Sequence, residues 1–267
     1  MNSSMSIGRA LLVAALGLFG CWTPRGMAAE TVRLAAASDL VFCLEELTRE
    51  FTHGHPEMEI KTSTGSSGNF FAQIKNGAPF DVFLSADMSY PRELVKAGMA
   101  EESTLLEYAI GRIVLWTTRT NLSLTNGLLC LKDASVKRVA IANPDHAPYG
   151  RAARAALQHV GLWESIQPRL VLGENISQTL QFVQTGNADA GIVALSLVMS
   201  PKMAKTGRYV EVPAEMYPPL QQGAVLTRQG RDNAAARAYL KFLQTAKARE
   251  IFDRHGFQLP KHKEPVR

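Results

Sequence analysis

Cysteine is scarce in this chain, with 3 among 267 residues. That number cannot build a disulfide scaffold, and no two lie as Cys-x-x-Cys, which excludes a zinc ribbon or a dithiol redox motif. Long apolar runs are lacking as well. The run Ala10–Phe19 falls short of the roughly 20 residues that a membrane-spanning helix needs, and nothing later comes near it. No Gly-x-x-x-x-Gly-Lys phosphate loop or Gly-x-Gly-x-x-Gly dinucleotide turn occurs. Basic charge is not clustered, so the formal net charge of +5 gives no footprint for a nucleic-acid partner. What remains is ordinary globular composition, 46% hydrophobic and 20% charged, which excludes disordered, collagen-like and coiled-coil chains. The length suits one large domain or two small ones.

The N-terminus reads as an address. Arg9, the apolar run and the small residues Ala28 and Ala29 form a secretory signal peptide over residues 1–29, cleaved after Ala29, with Ala28 as the alternative. Leu18-Phe19-Gly20-Cys21 is similar to a lipobox that would anchor a lipoprotein through Cys21, although Phe19 is bulky where a small residue is usual. Export to the periplasm as a soluble protein is expected. Without Arg9 and Arg25, 27 basic residues stand against 24 acidic ones, a balance of +3. Cys43 and Cys130 then remain. An oxidising compartment permits a bridge between them, but both read first as small buried hydrophobes.

Strands alternate with helices along the rest. Val32–Ala37 reads as a buried strand with Ser38 as a helix cap; Leu40, Leu44, Leu47 and Phe51 follow at helical spacing. Met58–Thr64 is a second strand, Gly65-Ser66-Ser67-Gly68 a turn, and 69–76 a helix closed by Gly77. Asp81–Ser85 is a third strand, and Pro91 opens a helix that Gly98 ends. The pattern restarts with strands at Ile110–Thr117 and Arg138–Ala142, then a loop to Tyr149 and a helix from Gly150 to His159. Arg169–Leu172 is a strand, Ser177 caps a helix to Thr185, and Gly191–Ala194 is a strand. Ala224–Thr227 and helices at 232–246 and 247–255 close the chain. This order implies parallel sheets in two α/β lobes, with a ligand cleft beyond the strands' carboxyl ends.

Three strand-to-helix turns in these places carry a serine: Ser38, Ser67 and Ser177. A helix N-terminus offers unpaired N–H groups and partial positive charge, and a hydroxyl adds a donor. Several converging on one point would hold an anion without Lys or Arg. Each serine alone reads equally as a cap.

Val32-Arg33-Leu34-Ala35-Ala36-Ala37-Ser38-Asp39, the Thr64–Gly68 turn, Gly77–Asp87, Glu174–Leu180 and Ala248–Phe257 resemble the molybdate-binding proteins of ABC importers. The likeness spans about residues 31 to 260. It implies the type II periplasmic binding protein fold, two parallel-core sheets flanked by helices. The lobes would run over 30–108 with 222–267, and over 109–221. It also implies a monomer, without cofactor or catalysis, that captures molybdate or tungstate and hands it to an inner-membrane permease and its ATPase. The metal is reached only through its oxyanion's oxygens, by Ser38, Ser67, Tyr149 and Ile176, with Ser66 as an off-by-one alternative to Ser67. A tyrosine is usual at the position of Ala194. Tyr149 then compensates, its phenol and its N–H both serving. A cage of donors without an acceptor favours fully deprotonated dianions, so sulfate is held back by size and phosphate comes last.

Two alternatives stand beside this reading: a binding protein for another small oxyanion such as sulfate, and an exported enzyme using Ser38 or Ser67 as nucleophile. The latter needs a positioned histidine, for which His146 is the one cleft-loop candidate. His53, His55, Glu57 and Glu59 read as a solvated turn rather than a metal site, and the charges over Lys247–Arg254 as a solvated helix face.

Overall fold

The computed structural model describes residues 30–260. The expected signal peptide, with Cys21, lies outside the described residues. Two five-stranded sheets organise the chain. In the first, β1 (Glu30–Ala37) lies between β2 (Met58–Gly65) and β3 (Val82–Ser85), parallel to both. The last strand, β10 (Leu220–Leu226), joins β3 antiparallel and carries β4 (Leu106–Gly111) on its outer edge.

Strand alternation explains how this sheet is covered on both faces. Val32, Leu34 and Ala36 face one core with α1 (Val41–Gly54), α8 (Ala234–Phe242) and α9 (Ala246–Arg254). Ala35, Phe83 and Val225 face the opposite core, against Phe70 and Ile74 of α2 (Ser67–Lys75) and Leu94 of α3 (Ser89–Lys96). The last strand and two last helices thus complete the body that the first strand begins.

The second sheet has the order β7 (Leu170–Gly173), β6 (Val139–Ala142), β8 (Ala190–Ala194), β5 (Ile113–Thr117), β9 (Arg208–Glu211). β6 is parallel to β7 and β8, and β5 runs antiparallel to β8 and β9. Helices α4 (Pro148–His159), α5 (Trp163–Ile166), α6 (Ile176–Gln184) and α7 (Leu195–Val198) belong to this lobe. Each sheet is therefore mixed, a parallel trio with antiparallel neighbours, rather than parallel throughout.

Several sequence expectations need correction. Ile110–Thr117 is not one strand: β4 ends at Gly111 and β5 begins at Ile113, so a single residue, Arg112, separates two strands of different sheets. Arg112 is the one charged residue between them, and neither glycine nor proline follows it to mark the change of sheet. Pro91 is the third residue of α3, not its first; anywhere in a first turn its missing N–H costs nothing. The cap of α6 is Asn175, whose side chain accepts from Gln178 N at 3.0 Å, while Gln178 Oε1 accepts from Glu174 N at 2.6 Å. Ser177 is thereby left free of capping. Short α5 and α7 and the largely exposed β9 gave no periodic signal. Cys43 and Cys130 are both buried and unbridged, one in each lobe's core.

Candidate anion-binding site

Four turns meet between the lobes. Those after β1 and β2 bring Ser38, Asp39, Ser66 and Ser67; those after β6 and β7 bring Tyr149 and Ile176. Together they line a cavity with about 10 Å³ of room for a water-sized centre, roughly one such sphere. The space fits one compact group. No Lys, Arg or His lines it, and Asp39 is its only carboxylate.

Where each hydroxyl proton goes separates the candidates. Ser67 Oγ accepts from Ala86 N at 2.9 Å, and Ser38 Oγ accepts from Ser177 N at a long 3.4 Å. Both oxygens are held by a donor, which leaves both protons available for a ligand. Ser66 Oγ instead donates to the carbonyl of His146 at 2.6 Å, so its proton is committed to joining the lobes. His146 Nδ1 lies 3.0 Å from the same oxygen, and Nε2 lies 3.5 Å from Glu174. Although these are the residue types of a nucleophile relay, the serine proton points at a carbonyl and not at the ring.

Tyr149 and Ile176 stand in the first turns of α4 and α6, where a backbone N–H has no partner within its helix. No cation lines the cavity, so the attraction for negative charge comes from these helix ends.

The Tyr149 phenol departs from expectation. It donates its one proton to Asp39 Oδ2 at 2.9 Å across the lobe boundary and so has none to give an anion. Gln222 Nε2 also donates to Oδ2, while the Tyr108 hydroxyl donates to Gln222 Oε1 at 2.8 Å. Ser196 Oγ donates to the Asp39 carbonyl at 2.8 Å. Ala194 does not line the cavity; it pairs with Ile113 inside the second sheet. The expectation of a cage free of acceptors also fails, because Asp39 is a carboxylate in the lining. Burial pushes its pKa up to about 6, against the lowering effect of the Gln222 and Tyr149 hydrogen bonds. This buried junction is what sequence reasoning missed. The aspartate sits inside the Ala37-Ser38-Asp39 motif, but its partners lie 110 and 183 residues away.

Two glycines let the lobes approach. Gly68 N donates to the His146 carbonyl at 3.0 Å, and a Cβ there would come within 2.5 Å of that oxygen. At Gly111, the last residue before the chain changes sheets, a Cβ would collide with the Tyr149 hydroxyl. Gly111→Ala is therefore expected to leave both lobes folded but to oppose closure by about 1–3 kcal/mol. Ligand titration should show a roughly five- to more than hundredfold higher Kd, and small-angle scattering a more open ligand-free protein.

Two α/β lobes closed on a small internal cavity are the build of an extracellular solute receptor. The sequence profile of the bacterial extracellular solute-binding proteins matches residues 32–258, and the chain belongs to that family. Within it, the chain is 38% identical over 258 residues to the molybdate-binding protein ModA of Azotobacter vinelandii, covering 96% of this chain and 99% of that one. It is 40% identical over 232 residues to ModA of Rhodobacter capsulatus, covering 86% and 89%. The solved Azotobacter vinelandii periplasmic molybdate-binding protein superposes with a TM-score of 0.82 at 33% identity, over 86% of this chain and 100% of that one.

Among the described residues no helix is long and apolar enough to cross a membrane. Among them, too, no group of three or more His, Cys, Asp or Glu is placed to hold a metal ion.

Proposed function

We propose that this chain is an exported binding protein that captures molybdate, with tungstate as a near-isostere, and delivers it to the permease and ATPase of an ABC importer. The observation that carries the reading is the cavity itself: two serine protons left available, two helix N-termini and no cation, in a space for one compact group. The names of the relatives support molybdate over sulfate. Hydroxyls of Ser38 and Ser67 and the backbone N–H groups of Tyr149 and Ile176 make the contacts. Ser66 acts between the lobes rather than on the ligand, and Ala194 contributes nothing.

The lobes comprise residues 30–108 with 222–267, and 109–221. In support, β4 and β10 lie in the first sheet while β5 and β9 lie in the second. The protein works as a periplasmic monomer without cofactor or catalytic step, released by cleavage after Ala29.

Elemental analysis of protein purified from molybdate-supplemented cells should find molybdenum. Calorimetry against molybdate, tungstate, sulfate and phosphate should then rank the first two well ahead of sulfate. Sulfate or phosphate binding more tightly than molybdate would overturn the assignment.

A further inference from the structure

Asp39 poses a problem for any dianion held in this cavity. Its side chain is the only formally charged one in the lining, and the charge has the wrong sign. The residue is 1% exposed. Oδ2 accepts from Tyr149 and Gln222, whereas Oδ1 is buried without a hydrogen-bond partner among the described residues. An ionised carboxylate and a dianion side by side in a site without a cation repel each other strongly, because little water screens them.

One proton resolves both difficulties. We propose that Asp39 enters the anion complex as a neutral carboxylic acid, so that each dianion captured draws one proton from bulk water into the cleft. The proton sits on Oδ1, which becomes a donor to an anion oxygen and supplies the side-chain O–H that neither Ala194 nor the Tyr149 phenol provides. Oδ2 keeps its two donors, so the lobe junction survives protonation. This rests on the oxyanion reading above and adds a residue and a linkage to it.

The surroundings of Asp39 leave it as the group that changes charge. Tyr149 on α4, Tyr108 on β4 and Cys43 on α1 all have their pKa values raised, first by burial, and stay neutral. From β10 and α7 it meets Gln222 and Ser196, and from α2 and α6 the cavity lining brings only Ser67 and Ile176, none of which titrates. Its carboxyl is pushed up to about 6, again by burial first. It is therefore mostly ionised at pH 7.5 before the anion arrives, and a neighbouring dianion raises it further. His146, bonded to Ser66 beside the cleft, serves as the control position.

Sodium molybdate titrated calorimetrically at pH 7.5, in buffers of differing ionisation enthalpy, counts the protons. The expected result is uptake of about one proton per molybdate, with the Kd rising about tenfold per pH unit between pH 6.5 and 8.5. Asp39→Asn keeps a donor without the charge, so it should bind with no proton uptake and a Kd flat in pH. His146→Gln should leave the count at one. Molybdate bound by the parent protein without proton uptake overturns the proposal, as does uptake persisting in Asp39→Asn. The parent count needs no variant to fold. Absence of binding to molybdate, tungstate and sulfate alike would instead bring down the oxyanion reading, and this inference with it.

Discussion

Ser67→Ala is expected to weaken molybdate binding by about ten- to more than a hundredfold, and Ser38→Ala by a similar factor. A hydrogen bond to a charged group contributes about 1.5–3 kcal/mol, which converts to that range in Kd. The structure sharpens the case for Ser67. Its oxygen accepts from Ala86 N at 2.9 Å, so the hydroxyl is oriented before the ligand arrives and little rotamer entropy remains to be lost. Alanine removes the anion's donor and also strips Ala86 N–H of its acceptor.

Ser66→Ala is the internal control. It deletes a neutral bond between the lobes, worth about 0.5–1.5 kcal/mol, and should raise Kd only about two- to tenfold. Calorimetry on the three variants decides the matter. A larger loss at Ser66 than at Ser67 would reverse the assignment of the two adjacent hydroxyls.

The second large effect is on stability. Phe252→Ala should destabilise the protein by about 3–5 kcal/mol, the usual cost of emptying an aromatic site in a core. The ring is fully buried, packs 5.2 Å from the ring of Tyr108 and meets Phe257 edge-on at 5.8 Å. Phe252 lies on α9, near the chain's end, yet it packs in the core that covers the sheet begun by β1. At about 2–4 °C per kcal/mol for a protein of this size, the thermal midpoint should fall by roughly 6–20 °C. Scanning calorimetry would measure it. An unchanged midpoint would mean that the closing segment is not part of the first lobe's core.

Much of the fold was legible because local burial repeats at fixed periods. Leu40, Leu44, Leu47 and Phe51 recur at helical spacing in the sequence, and all four are buried. The turns after β1 and β2 were legible as helix starts carrying serine. The same logic failed where the period does not change. No turn residue follows Arg112 within Ile110–Thr117, although the chain leaves one sheet there and enters another. Ser66 and Ser67 were adjacent and alike in sequence; only the atoms around them, His146 O for one and Ala86 N for the other, tell them apart.

The sequence by itself determined the order of strands and helices, the export signal expected at the N-terminus and the family resemblance. These depend on spacing, on hydrophobicity and on residues next to one another. Only the tertiary structure decided which hydroxyl protons are available. It joined Asp39 to Tyr149 and Gln222, committed the phenol's proton to that carboxylate, and left the other carboxylate oxygen buried without a partner among the described residues. The reason is physical: a proton's direction and a carboxyl's charge are set by atoms within a few ångströms. In this protein those atoms lie between 19 and 183 positions away along the chain, some of them in the opposite lobe.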